Sequence, residues 1–338
     1  MKILIRLPNW LGDGVMLTPI FEILKHYYKD AVFVLVGPQG VCDLFTRDKR
    51  VKKVFIDRTK EAKNRLFATY RFAKEIGKCD IAITFTNHFY SAFLLFATKS
   101  PIRVGFGGFL RNFLLNCSVK KKKVTHQVLS YAQILEGLGI NERVGGLNLI
   151  YQKKILQHGF EKRKNIGIAT GAAFGSAKAW LPEYFAQIVE YVIAQGHRVF
   201  LFGASQDVVL NQKIIKMVKE NAKNQDFSNL FDLSAKTSVS ELVDYIASLD
   251  LFIGNDSGAG HIAVGCNTPA IILFGPTHPT YCLPWQMKNC IVINKHLSCA
   301  PCQKRECPLG HHRCMKDLKP EEVILAIEKQ LKKEEFAN

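Results

Sequence analysis

Two side chains in this 338-residue chain stand where a group-transfer reaction could use them: Asp13, within Leu11-Gly12-Asp13-Gly14-Val15, and Lys178, within the turn Thr170-Gly171-Ala172-Ala173-Phe174-Gly175-Ser176-Ala177-Lys178-Ala179-Trp180. A carboxylate at a helix start can take a proton from an attacking hydroxyl. A lysine after a Gly/Ser/Ala turn suits an anion. Gly171, Gly175 and Ser176 ahead of that lysine resemble a phosphate cradle, although the spacing is not that of a Walker A loop. A third stretch, Gly254-Asn255-Asp256-Ser257-Gly258-Ala259-Gly260-His261, is followed by Phe274-Gly275-Pro276-Thr277. There the Ser257 hydroxyl and the amides of a helix start can donate to phosphate, while Gly258 and Gly260 let backbone approach a ligand. Plainer readings compete: an N-cap carboxylate for Asp13, a capping turn for Asp-Ser-Gly, a solvated lysine for Lys178. Gly12 and Gly14 favour the catalytic reading of Asp13, because a cap needs no flanking glycines.

A second constellation is Cys299-x2-Cys302-x4-Cys307-x6-Cys314, with His311 and His312 inside it. Four thiols this close have metal-ligand character, with Zn²⁺ as the default structural ion. The competing reading is a reduced, packed loop, since the spacing is not that of a zinc ribbon. The other six cysteines are scattered and read as small apolar fillers.

The elements that must position these residues follow from the apolar runs. Strands are expected at 2–7, 31–36, 54–56 and 81–85, and again at 165–169, 198–202, 230–233, 251–253 and 270–274. Helices are expected at 15–28, 41–46, 59–76, 90–97, 126–138, 182–195, after 207 to about 221, 238–248 with a Ser238/Glu241 capping box, 261–264 and 321–333. Repeated strand-then-helix order predicts an α/β fold with parallel sheets, whose ligands sit beyond the carboxyl ends of the strands. A Lys-rich stretch, 151–164, reads as a linker, giving domains 1–155 and 165–320 and a terminal segment 321–338 that could cross back to the first domain.

The formal charge of +17 calls for a negative partner: nucleic acid, anionic lipid headgroups or phosphorylated sugars. Between 89 and 123, Phe89, Phe93, Phe96, Phe106, Phe109, Leu110 and Phe113 interleave with Lys99, Arg103 and Arg111 before Lys120-Lys121-Lys122-Lys123. That mix suits an anionic membrane surface, or else an aromatic core beside a solvated loop. With neither a secretory apolar segment after Met1 nor a run of ~20 apolar residues, a cytoplasmic protein with reduced thiols is expected. A basic nucleic-acid-binding protein is the non-enzyme alternative, but no such motif appears. A dehydrogenase is disfavoured because the first turn offers Asp13 in place of G-x-G-x-x-G.

Taken in series, Leu11-Gly12-Asp13-Gly14-Val15-Met16, the Gly171–Trp180 turn, Asn255-Asp256-Ser257-Gly258-x-x-His261 and Phe274-Gly275-Pro276-Thr277 resemble glycosyltransferase family 9, the ADP-heptose:lipopolysaccharide heptosyltransferases, and within it the heptosyltransferase II type. The resemblance implies a GT-B architecture, two Rossmann-like domains facing across a cleft. It also implies an inverting transfer of L-glycero-D-manno-heptose that needs no cofactor. The donor would be ADP-heptose and the acceptor a Kdo/heptose-bearing lipid A, at the inner face of the cytoplasmic membrane. Heptosyltransferase I, acting on Kdo, is the nearest alternative. By the same resemblance Asp13 is the base, with Gly12, Gly14, Lys120 and Lys121 on the acceptor side. Lys178 contacts the donor phosphates, with Gly175, Ser176, Asp256, Ser257, Gly258, His261 and Thr277 around the donor and Asp207 near its ribose. The chain departs from the family pattern at Thr170, Ala179, Leu181 and Ala259-Gly260.

Overall fold

The computed structural model describes residues 1–123, 126–156, 163–221 and 226–335. The chain divides into two compact units, Met1–Ile150 and Tyr151–Asn338. The division falls at the start of the Lys-rich stretch, part of which (157–162) lies outside the described residues.

In the first unit the strands are β1 (Lys2–Arg6), β2 (Val32–Gly37), β3 (Val51–Ile56), β4 (Ile81–Thr84), β5 (Ile102–Phe106) and β6 (Cys117–Val119). They form one sheet in the order β3-β2-β1-β4-β5-β6, with every pairing parallel. The central strands are apolar along their length because helices cover both faces, and Ile3, Leu4 and Ile5 have no exposed surface. The helices are α1 (Leu11–Tyr27), α2 (Gln39–Asp43), α3 (Arg65–Ile76), α4 (Phe89–Ala97) and α5 (Gln127–Leu135).

The second unit repeats the plan with β7 (Asn165–Ala169), β8 (Arg198–Phe202), β9 (Leu230–Asp232), β10 (Leu251–Asn255), β11 (Ala270–Phe274) and β12 (Cys290–Asn294), in the order β12-β11-β10-β7-β8-β9. Counted from its own first strand, this is the same 3-2-1-4-5-6 order, with all pairings parallel. Both units therefore have the Rossmann topology, and the chain has the α/β, GT-B type of fold. In each sheet the winding direction reverses between two central strands, β1 and β4 in one, β7 and β10 in the other. The loops diverge there and leave a crevice at the carboxyl ends.

The second unit's helices are α6 (Pro182–Ala194), α7 (Val208–Asn221), α8 (Val239–Ile246), α9 (Gly258–Gly265), α10 (Pro279–Cys282), α11 (Arg313–Lys316) and α12 (Pro320–Glu335). Its core joins Phe185, Val189 and Val192 of α6 to Ile253, Leu273 and, from α12, Val323, Ala326 and Ile327. The apolar face of the last helix is thus accounted for within the second unit. Trp180 is buried at the head of α6, its indole N–H donating to the Leu318 carbonyl at 2.9 Å. Among the described residues no helix is long and apolar enough to cross a membrane.

Three differences from the sequence reading have physical causes. Helix α1 begins at Leu11 rather than Val15, so Asp13 lies inside its first turn. The basic helix expected at 59–76 is broken: one turn of 3₁₀ helix at Thr59–Glu61 precedes α3, whose N-cap Asn64 accepts from the Phe67 amide. Strands β5, β6 and β12 were not anticipated; in β5 the exposed-to-buried progression of Ile102–Phe106 is masked by the surrounding aromatic residues.

Candidate active site

The reversal point of the second sheet is held shut by Asn255, the last residue of β10. Its amide nitrogen donates to the Thr170 carbonyl at 2.8 Å and its amide oxygen accepts from the Trp180 N–H at 3.2 Å, tying the turn after β7 to β10. That strap brings Lys178 against Asp256. The lysine Nζ lies 2.6 Å from Asp256 Oδ2 and 3.2 Å from the Asp256 carbonyl, and 5.1 Å from the centre of the Phe174 ring. The Thr277 hydroxyl, from the turn after β11, donates to the same carboxylate oxygen at 2.6 Å. Three separate turns therefore meet in one Lys178–Asp256–Thr277 cluster, its side chains nearly withdrawn from solvent.

The other donor-side candidates stand around it. Ser257 is the N-cap of α9 but makes no capping hydrogen bond through its side chain, so the plain capping reading does not account for its hydroxyl. Gly258 opens the helix, and His261 is buried one turn in. Gly175 has φ +153°, a conformation that disfavours side chains, and a Cβ there would fall 2.3 Å from the Arg305 carbonyl oxygen. Ser176 beside it is exposed. Asp207 accepts from the Ala204 amide at 2.9 Å and lies against Gly171, at the mouth of the same crevice.

In the first unit Asp13 follows β1 on the first turn of α1, and the hydroxyl of Tyr131, buried on α5, hydrogen-bonds its carboxylate. Burial and then the nearby Asp13 charge push the Tyr131 phenol well above its usual value, so the tyrosine stays a donor. At Gly14 a Cβ would sit 2.6 Å from Val41 Cγ1, so the packing of α1 on α2 also favours glycine there. Gly12 is partly exposed. Lys120 and Lys121 are exposed beyond β6, Lys121 with its Nζ 5.7 Å from the Phe106 ring, and neither lines the polar pocket described below.

A family model described as glycosyltransferase family 9 (heptosyltransferase) matches residues 69–313, a span that includes Lys178, Asp256 and Thr277. The chain belongs to glycosyltransferase family 9. As a family 9 member it is a glycosyltransferase, and its similarity extends over almost its whole length. Lipooligosaccharide heptosyltransferase 2 of Campylobacter jejuni subsp. jejuni serotype O:6 is 36% identical over 97% of this chain and 99% of its own. Lipopolysaccharide heptosyltransferase 2 of Escherichia coli K12 is 26% identical over 99% of this chain and 100% of its own. The solved structure of E. coli ADP-heptose LPS heptosyltransferase II shares the fold with a TM-score of 0.79, at 23% identity, covering 99% of this chain and 100% of that one.

In this family 9 chain the first unit also carries a polar pocket that sequence reading missed. Arg6, Asn9, Asp57, Lys60, Arg65 and His88 line it, at the carboxyl ends of β1, β3 and β4. Arg6 is buried and pairs with Asp57 at 3.0 Å and Asn9 at 2.9 Å. Burial lowers its pKa, opposed by Asp57; burial likewise raises Asp57, but Arg6 and hydrogen bonds from Thr59 outweigh it and hold that carboxyl below its usual range. Partial burial and the cations Lys60, Arg6, Arg65 and Arg111 lower His88, so the imidazole is neutral at pH 7. The available signal was the polar run Thr86-Asn87-His88 after β4; Arg6, inside an apolar strand, gave none.

The aromatic stretch 89–123 divides. Leu94, Phe106 and Leu115 are core, whereas Phe109 and Phe113 are 88% and 80% exposed and Leu110 is 54% exposed. Arg111, expected among the surface cations, is instead a buried anchor: its Nε donates to the Phe106 carbonyl at 2.8 Å and an Nη to Ser91 Oγ at 3.1 Å. Cys299, Cys302, Cys307 and Cys314 are all free thiols and line a single cavity. Among the described residues no three His, Cys, Asp or Glu side chains are already gathered as metal ligands.

Proposed function

We propose that the chain is an inverting heptosyltransferase of the type II class, moving L-glycero-D-manno-heptose from ADP-heptose to the first heptose of the lipopolysaccharide inner core. The near-full-length similarity to the C. jejuni heptosyltransferase 2 carries this reading. The local geometry supplies the roles.

Asp13 takes the proton of the acceptor hydroxyl, a contribution of about 10²–10⁴-fold for a positioned base. Tyr131 orients that carboxylate. Lys178 stabilises the charge that develops on the departing ADP, as preorganised donors do elsewhere. An ammonium has three N–H donors. Two of Lys178's face Asp256, which leaves the third for a diphosphate oxygen. Ser257 and the first amides of α9 add donors at a helix N-terminus. In this reading the lysine and helix end hold the leaving diphosphate, and no step is routed through a cofactor.

The basic pocket at Arg6, Lys60 and Arg65 suits an anionic group of the acceptor core. Phe109, Leu110 and Phe113, exposed together beside Lys120 and Lys121, support a peripheral seat on the inner face of the cytoplasmic membrane, where the lipid A acceptor is presented.

The test is ADP release with two acceptors, lipid A bearing Kdo alone and the same molecule bearing one heptose. Turnover confined to the heptosylated acceptor is expected. Turnover with the Kdo acceptor alone would move the assignment to the type I reaction.

A further inference from the structure

We infer that Cys299, Cys302, Cys307 and Cys314 form a four-thiolate site for one divalent transition-metal ion, zinc or iron, which braces the turns carrying Lys178 and Thr277. This goes beyond the transferase reading and does not depend on which acceptor is used.

All four thiols, with His311 and Pro308, open onto one cavity that also touches Ala177 and Pro276. Two of its walls are tight turns of the kind that present sulfur. Cys299–Cys302 is followed by Gln303 at φ +55°, and Cys307–Gly310 closes with a Gly310 N–H to Cys307 carbonyl bond of 3.1 Å and Gly310 at φ +69°. The second turn aims the His312 amide at Cys307 Sγ, at 3.4 Å. Four sulfurs in one cavity match tetrahedral zinc or a mononuclear iron centre rather than a hard cation.

The surrounding chain gives the site a purpose. From Lys295 to His312 there is neither strand nor helix. Irregular segments beyond about 12–15 residues are uncommon in compact domains unless they are functional. Yet this one is bonded to both turns of the crevice: the Arg305 carbonyl accepts from the Ala177 N–H at 2.9 Å, and the Gln303 N–H donates to the Pro276 carbonyl at 2.8 Å. His312 Nε2 lies 3.0 Å from the Ala177 carbonyl. Cys314 Sγ would lie 3.4 Å from a Cβ at Gly275. The thiols would close on the ion by side-chain rotation, fixing the loop between these contacts.

The test uses the full chain, purified without oxygen in reductant, reconstituted separately with Zn²⁺, Fe²⁺ or Co²⁺ and desalted. About one equivalent should remain in the zinc or iron arm, and the arm that retains it identifies the ion. The cobalt arm should show thiolate-to-metal charge-transfer absorption with tetrahedral ligand-field bands. Cys302→Ser/Cys307→Ser should lose the ion, while Cys117→Ser, outside the cavity, should keep it. On chelation of the wild-type chain, hydrogen exchange at the Ala177 and Gln303 amides should speed up by tenfold or more. No retained ion in any arm, cobalt bound without the thiolate bands, or full loading of the double variant would overturn the site. Unchanged exchange at both amides would overturn the bracing.

Discussion

At the scale of single residues, the proposed donor side rests on a lysine whose charge is already matched. Lys178 and Asp256 form a nearly buried pair, and removing one partner of such a pair leaves an uncompensated charge, typically a loss of about 3–5 kcal/mol. Asp256→Asn should therefore lower unfolding stability in urea by roughly 3 kcal/mol as well as impair transfer. Lys178→Met removes the donor itself, and kcat/KM should fall about 10²-fold or more. An Asp256→Asn variant as stable and active as wild type would show that the pair is incidental. Tyr131 offers a separate test. Its hydroxyl hydrogen-bonds the Asp13 carboxylate. In Tyr131→Phe that contact is lost and kcat should fall about tenfold with ADP affinity unchanged. An unchanged kcat would remove Tyr131 from the role of positioning the base.

At the scale of elements, what the sequence could disclose was set by locality. Strands buried on both faces, such as Leu251–Asn255 and Ala270–Phe274, appear as unbroken apolar runs and were legible, as was the Ser238/Glu241 capping box, whose reciprocal hydrogen bonds span three residues. The turns at the strand ends, with Lys178, Asp256 and Thr277, were legible as separate motifs. Their meeting on one carboxylate was not, because it depends on contacts between residues 78 and 21 positions apart. Tyr131 was hidden for the same reason: nothing near position 131 signals that α5 packs on α1. At Gly14 helix packing supplies a second reason for glycine that the sequence did not disclose, because Val41 lies 27 residues away. The loop of Phe109, Leu110 and Phe113 was read correctly as aromatic and basic, but which rings face outward depended on the buried Arg111 anchor. Phe109→Asp/Phe113→Asp should lower co-sedimentation with vesicles rich in anionic lipid by about tenfold while leaving ADP affinity unchanged. Undiminished vesicle binding would take the membrane seat away from this loop.

At the scale of the molecule, two units of the same strand order each place their polar turns at a reversal of winding, and the account assigns one chemical duty to each: proton abstraction to the first, charge stabilisation on the leaving diphosphate to the second. The strong positive charge fits the proposed division, since a nucleotide diphosphate and a phosphorylated acceptor are both anionic. The division is tested most directly by Asp13→Asn, measured both for ADP binding by calorimetry and for heptose transfer in a single turnover. An ADP Kd within about twofold of wild type is expected, with transfer slowed by at least about 10²-fold. Transfer within a few-fold of wild type would contradict it, because the proton would then have another acceptor.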